Sequence, residues 1–214
     1  KFAAEQIGIP ESKLVLIHNG IELAAPPVQR NAESYAMLRI GTLGRLHAQK
    51  GMDIFLRAVA LVLKQSPGCR FVVGGDGPER ARLQNLAERL GISSSVEFAG
   101  LVREPASFIS SLDIFVLASR WEGMPNVVLE AMSLKKPIVA TSVGGTTDLI
   151  VNKEHGLLVP PNNANALADG ILKIARNPEM RNSMGARAYE RVSTEFTMAK
   201  MVSRYESFYE SIAR

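Results

Sequence analysis

The sequence predicts an α/β domain, a parallel sheet with helices on both faces. Short apolar runs of strand length alternate with amphipathic stretches of helical period. Some runs, such as Asp113-Ile114-Phe115-Val116-Leu117-Ala118, are apolar almost throughout, as strands covered on both faces must be. Glycine-bearing turns follow the strands one after another, and in a parallel sheet such turns gather at one edge.

The elements follow in order. Lys1-Phe2-Ala3-Ala4-Glu5-Gln6-Ile7-Gly8 reads as the tail of a helix, and the chain, opening on Lys1, reads as a piece of a longer protein. Lys13-Leu14-Val15-Leu16-Ile17 reads as a short apolar strand closed by the turn Asn19-Gly20. Residues 22 to 34 are polar, contain Pro26-Pro27 and read as a linker. A strand is predicted over Met37 to Thr42, then a helix over Asp53 to Lys64 with Ile54, Phe55, Ala58, Val59 and Val62 on one face. Arg70 to Val73 is a strand, Glu79 to Leu90 a helix stopped by Gly91, Val96 to Phe98 a strand and Ala106 to Ser111 a short helix. After the strand at Asp113 to Ala118, the turn Gly123-Met124-Pro125-Asn126 opens a further helix. Pro137 to Thr141 is a strand, Thr146 to Val151 a brief helix and Gly156 to Val159 a last strand. Asn165 to Arg176, Met180 to Val192 and Met198 to Ala213 are helical. The last has Thr197 as N-cap, a staple of Phe196 and Met201, and a stripe of Met201, Tyr205, Phe208 and Ile212. Such a stripe is core packing or a surface made for another domain.

Bulk composition narrows the function. The chain has 214 residues, room for one large α/β domain with a sizeable core, and 46% hydrophobic with 21% charged residues is an ordinary globular balance. Its net charge of +4 is scattered, with no polybasic run of the kind that binds nucleic acid. The single cysteine, Cys69, rules out an internal disulfide and reads as a buried structural thiol in a reducing compartment. No stretch approaches the ~18 apolar residues of a membrane span.

The chemistry lies in the loops after the strands. The first, Gly41-Thr42-Leu43-Gly44-Arg45-Leu46-His47-Ala48-Gln49-Lys50-Gly51, lets backbone approach a ligand and places cations Arg45 and Lys50 five residues apart, suited to a diphosphate or else simply solvated. The second, Gly74-Gly75-Asp76-Gly77-Pro78, carries a proline fit for a first helical turn and is largely explained by structure alone. The third, Ala99-Gly100-Leu101-Val102-Arg103, offers backbone to a base edge. In the fourth, Glu122 and Glu130 stand eight residues apart around Gly123-Met124-Pro125-Asn126-Val127, where N–H groups of a helix start favour phosphate. Helix propensity gives Glu122 no reason to be there, and a hydroxyl-rich or charged ligand does. Glu130 suits either the helix dipole or a pair of vicinal hydroxyls. Val143-Gly144-Gly145-Thr146 permits a close backbone turn. The sequence has no Gly-x-Gly-x-x-Gly after the first strand, no Gly-Lys-Ser/Thr loop, no Asp-x-Asp pair and no metal-ligand spacing among its histidines.

With these loops in order, the chain closely resembles the C-terminal, donor-binding domain of group 1 retaining glycosyltransferases of GT-B architecture. The resemblance runs over about residues 13 to 205 and rests on His18-Asn19-Gly20-Ile21, Gly44-Arg45-Leu46, Lys50-Gly51, Gly75-Asp76-Gly77-Pro78, Glu122-Gly123-Met124-Pro125, Glu130-Ala131-Met132, Pro137-Ile138-Val139-Ala140 and Gly144-Gly145. The two glutamates at their spacing are its most specific element. At two positions the chain departs from the family pattern: His18 stands where proline is usual, and Asp148 where glutamate is usual.

The resemblance implies a Rossmann-like sheet forming the C-terminal half of a GT-B fold. It divides the chain into the end of an N-terminal domain with crossover linker (1–30), a nucleotide-sugar-binding domain (31–193) and a C-terminal helix returning toward the absent half (194–214). It implies a retaining hexosyltransferase in polysaccharide biosynthesis that moves sugar from a nucleoside diphosphate to a glycan or lipid-linked acceptor, without a metal or other cofactor. This portion alone would be inactive in transfer. Arg45 and Lys50 would hold the diphosphate, Glu130 the ribose and Glu122 the sugar, making Glu122, Arg45 and Lys50 the catalytic set. Gly44, Gly75, Gly123, Met124, Pro125, Asn126 and Val127 would complete the donor site, with Leu101 and Val102 flanking the base. Nucleic acid is not an expected partner. The expected location is the cytoplasm, including the inner face of its membrane, where a peripheral contact is open. A nucleotide-sugar-binding module of a two-subunit transferase and a nucleotide-sugar epimerase are the alternatives.

Overall fold

A computed structural model describes residues 8, 10–23 and 38–213. Six strands form one parallel sheet: β1 (Arg39–Leu43), β2 (Arg70–Gly74), β3 (Val96–Gly100), β4 (Ile114–Leu117), β5 (Ile138–Thr141) and β6 (Leu157–Val159). Their order is β3-β2-β1-β4-β5-β6. This is the Rossmann order, which reverses direction between β1 and β4 and opens a crevice at their carboxyl ends. The helices are α1 (Met52–Gln65), α2 (Arg80–Arg89), α3 (Pro105–Ser110), α4 (Asn126–Ser133), α5 (Thr146–Leu149), α6 (Ala164–Ala175), α7 (Pro178–Glu195) and α8 (Met198–Ile212).

The pleat explains the apolar runs. Successive strand residues point to opposite faces, so one run must fill two cores. Phe71, Val73, Ile114, Val116 and Val139 pack with Phe55 and Leu56 of α1, Leu83 of α2 and Leu167 and Ile171 of α6. Their neighbours Val72, Phe115, Leu117, Ile138 and Ala140 pack on the other face with Ile109 of α3, Leu129 and Met132 of α4 and Ala188 and Val192 of α7. Each large side chain so buried contributes about 1.5–3 kcal/mol. Cys69 lies in the first core, as its apolar surroundings predict, and burial pushes its thiol pKa up.

Caps set the later helices. Asn163 accepts from Ala166 N at 2.9 Å, Asn177 from Met180 N at 2.9 Å with Pro178 in the first turn, and Thr197 from Lys200 N at 3.3 Å.

One expectation changes, and of the two readings of the α8 stripe the core reading fails. Lys13 to Ile17 is not a strand: Glu11–Lys13 forms a single 3-10 turn and the apolar residues after it are irregular. Leu14, Val15 and Leu16 are exposed, and no described strand lies alongside to bond their backbone. The stripe on α8 forms no core, since no residue of that helix is buried. The helix is tied instead at its start, where Ile21 N bonds Phe196 O at 2.9 Å, Met198 N bonds Ile21 O at 3.1 Å and Gly20 N donates to Met201 Sδ at 3.1 Å. The helix tail read before Gly8, the linker beyond residue 23 and Met37 lie outside the described residues. Among the described residues no helix is long and apolar enough to cross a membrane.

Candidate functional site

The crevice between β1 and β4 is a cleft of about 370 Å³ lined by Leu43, Gly44, Arg45, Lys50, Glu122, Met124, Pro125, Asn126, Val127 and Glu130. Two loops build it. The loop after β1 bends into α1 at Gly51, whose φ of 60° is left-handed and whose absent side chain lets it press against the Ala118 carbonyl. The loop after β4 is clamped to it from below. Arg120 N bonds Gln49 O at 2.7 Å, and Arg120 Nη1 donates to Ala48 O at 2.6 Å. The Arg120 guanidinium also grips Asp53 with two bonds, of 3.0 and 2.8 Å. Burial pushes the Asp53 pKa up, and the Arg120 hydrogen bonds and charge more than offset it, leaving that carboxyl below its ordinary value.

Within the cleft the charged groups differ sharply. The Arg45 side chain is exposed and makes no hydrogen bond or ion pair with the described residues. Lys50 Nζ donates to Glu122 Oε1 at 2.6 Å, and Ser119 Oγ donates to the same oxygen at 2.6 Å. The Glu122 side chain is only 7% exposed. Glu130 sits in the first turns of α4 with no hydrogen bond or ion pair to its carboxylate within the described residues, and burial raises its pKa. The start of α4, capped at Pro125 without a side-chain bond, lines the cleft with Asn126 and Val127.

A family model described as "Glycosyl transferases group 1" matches residues 34–191. The chain belongs to the group 1 glycosyl transferases. Among curated relatives, the alpha-D-kanosaminyltransferase of Streptomyces kanamyceticus is 30% identical over 172 residues, 79% of this chain and 45% of that protein. Among solved structures, the C-terminal domain of the group 1 protein LpcC from Francisella tularensis is 27% identical with a TM-score of 0.73, covering 81% of this chain and 96% of that one. Anabaena HepE, in complex with UDP and glucose, shares the fold with a TM-score of 0.89 at 22% identity, over 98% of this chain and 60% of that one. The chain thus spans about half or less of the length of the first curated relatives it matches. It is a C-terminal glycosyltransferase domain with the Rossmann-like sheet of the GT-B fold.

The transferase domain brings nearly all the predicted site residues together. Gly44, Arg45, Lys50, Glu122, Met124, Pro125, Asn126, Val127 and Glu130 line one cleft, and Gly123 lies in its turn. Gly75 stands beneath it, its backbone against the Gly44 carbonyl. Leu101 and Val102 line no part of the cleft. They follow β3 at the far end of the same edge, with Leu101 exposed. The Gly144-Gly145 turn serves the glutamate loop directly: Gly145 N bonds Gly123 O at 2.7 Å, and Gly144, with φ 45°, leaves no room for a side chain against Glu122 O.

Several working contacts carry no visible sequence signal. Ser119 and Arg120 open the stretch that carries Glu122, but the sequence does not show that Ser119 bonds Glu122, that Arg120 pairs with Asp53 or that Thr141 holds the Ser119 carbonyl. The two departures from the family pattern meet. His18 Nε2 lies 3.9 Å from Asp148 Oδ2, within ion-pair range when the ring is protonated, and His18 stacks edge-on to Phe196.

Proposed function

We propose that this chain is the donor half of a retaining hexosyltransferase, binding a nucleoside diphosphate sugar for transfer to a glycan or lipid-linked acceptor held by a further domain. One observation carries the reading: a single cleft at the switch point offers a free cation, a shared cation, an open helix start and two carboxylates in unlike states. Arg45, Lys50 and the N–H groups of α4 suit a diphosphate. Both oxygens of Glu130 are uncommitted among the described residues, which suits the vicinal hydroxyls of a ribose. Glu122 has one oxygen engaged and the other unbonded among the described residues and not fully buried, which suits a sugar hydroxyl.

The chemistry follows from charge. The bond between the anomeric carbon and the phosphate oxygen breaks, leaving positive charge on the ring and a full negative charge on the departing diphosphate. Arg45, Lys50, shared with Glu122, and the helix start stabilise that oxyanion, so the cations supply the role otherwise filled by a bound metal. The leaving phosphate oxygen takes the proton from the incoming hydroxyl, so the cleft needs no separate base. Anomeric configuration is kept because the acceptor enters on the face the diphosphate leaves.

The HepE complex with UDP and glucose supports this reading. So does the kanosaminyltransferase relative, whose name states a sugar transfer. The test is calorimetric titration of the chain with uridine, guanosine and adenosine diphosphates and their hexose derivatives. Binding of one nucleoside diphosphate, weakened about tenfold by Arg45→Ala with the fold intact, is the expected result. No binding by any of the three overturns the reading.

A further inference from the structure

Glu122 has three side-chain torsions and, left alone, would present its carboxylate in many orientations. In this chain it is pinned through one oxygen from two sides. Lys50 Nζ and Ser119 Oγ both donate to Oε1, each at 2.6 Å. Oε2 has no hydrogen-bond partner among the described residues and is not fully buried. The two pins are not equivalent. Lys50 is one-fifth exposed, lines the cleft and stands where a diphosphate would draw it away. Ser119 is fully buried and lines no part of the cleft, so no ligand competes for it.

Ser119 is itself seated. Its carbonyl accepts from Thr141 Oγ1 at 2.6 Å, and Thr141 is buried at the end of β5. Ser119 lies two residues past the end of β4, in the loop that leads to Glu122, and the bond from the end of β5 fixes its backbone where that loop leaves the sheet. A buried serine hydroxyl costs desolvation unless bonded, and here its donor is spent on Glu122, one of the two carboxylates that line the cleft.

We propose that Ser119, seated by Thr141, is a positioning residue that holds Glu122 as a single-oxygen reader of the donor sugar. It governs affinity for the sugar while leaving the nucleoside diphosphate untouched. The inference rests on the donor-cleft reading above and adds to it the residue that aims Glu122 once Lys50 is shared with the diphosphate.

The experiment titrates wild type, Ser119→Ala, Thr141→Val and Ser119→Thr with the nucleoside diphosphate that the chain binds and with a hexose donor on the same base, UDP and UDP-glucose in the uridine case. Ser119→Ala is expected to lose about tenfold in affinity for the sugar donor and less than about twofold for the free diphosphate. Thr141→Val shifts the sugar donor in the same direction by less, and carries the test should Ser119→Ala fail to fold. Ser119→Thr, which keeps the hydroxyl, restores sugar affinity. Equal losses for both ligands, or none for the sugar donor, overturn the proposal, because a serine of merely structural value would weaken the whole cleft alike. Wild type that binds the diphosphate but no hexose donor overturns it at the sugar site and leaves the nucleotide reading standing. Wild type that binds no nucleoside diphosphate overturns the donor reading and this proposal with it.

Discussion

Asn19 Nδ2 donates to Asn126 Oδ1 at 2.8 Å, joining a turn at one end of the chain to the first residue of α4 in the cleft. Asn19 N also donates to Met124 Sδ at 3.1 Å. Both acceptors line the cleft, so this turn takes part in shaping it. The turn is held in place from behind, where Gly20 packs without a side chain against the Thr197 carbonyl.

The pair is therefore expected to be coupled. A neutral hydrogen bond is worth about 0.5–1.5 kcal/mol, and this one is exposed, at the low end. Asn19→Ala and Asn126→Ala should each cost a few tenths to about 1 kcal/mol, and the double variant less than their sum. Urea unfolding of the four proteins gives the cycle. Strict additivity would show that the two amides do not meet in solution.

The cations should separate by what they leave behind. Arg45 is exposed and unpartnered within the described residues, so Arg45→Ala should weaken nucleoside diphosphate binding by about tenfold and leave stability unchanged. Lys50→Ala should weaken binding similarly and also destabilise the fold, because Glu122 is 7% exposed and would keep only Ser119 as a partner. Thermal unfolding alongside calorimetry distinguishes them. Equal melting temperatures for the two variants would mean that the Lys50–Glu122 pair is not formed in solution.

What could be read from the sequence, and what could not, has a physical pattern. Strands β1 to β6 and the helices between them were legible because each must bury apolar residues at its own period. The cleft was legible because its residues sit just past strand ends, and parallel topology brings strand ends together. Lys13 to Ile17 misled for the same reason in reverse: its residues are apolar, but a strand needs a neighbour to bond. The ion pair between Lys50 and Glu122 was invisible. Each residue on its own suits part of a ligand, and nothing in a linear spacing of seventy-two residues says that two charges neutralise one another. His18 and Asp148 were each visible as departures from a pattern, yet their approach depends on where the turn before Gly20 lands.

The Asp53–Arg120 clamp predicts a pH dependence. Asp53 has a folded pKa below its ordinary value of 3.8. Such a carboxylate stabilises the fold above its unfolded pKa, and that stabilisation disappears as the pH falls through the folded value. Asp53→Asn should therefore cost about 1.5–3 kcal/mol near neutral pH, the range for bonds to charged groups. The gap between variant and wild type should close only under acid conditions, below the ordinary carboxylate range. A gap that closes already near pH 6 would place the dependence on another group.

Glu130 carries the opposite sign. Burial raises its folded pKa above the unfolded value, so its ionised form is disfavoured by folding, and the penalty is present at every pH where the carboxylate is charged. No described residue compensates it. A half-buried charge with no partner among the described residues fits the ribose contact proposed for Glu130, since hydroxyl donors would relieve its cost. Glu130→Gln removes the charge while keeping the shape. It should raise the melting temperature of the ligand-free chain, and at the same time weaken the nucleoside diphosphate by about tenfold, since a neutral amide oxygen is a poorer acceptor for two hydroxyls. The binding of wild type should fall with acidification at a higher pH than an ordinary glutamate would dictate, whereas the variant's binding should lack that step. Calorimetry across pH 4 to 8 with paired thermal melts reads both effects. A variant that is less stable than wild type and binds the diphosphate as well would show that Glu130 serves the fold of α4 rather than the cleft.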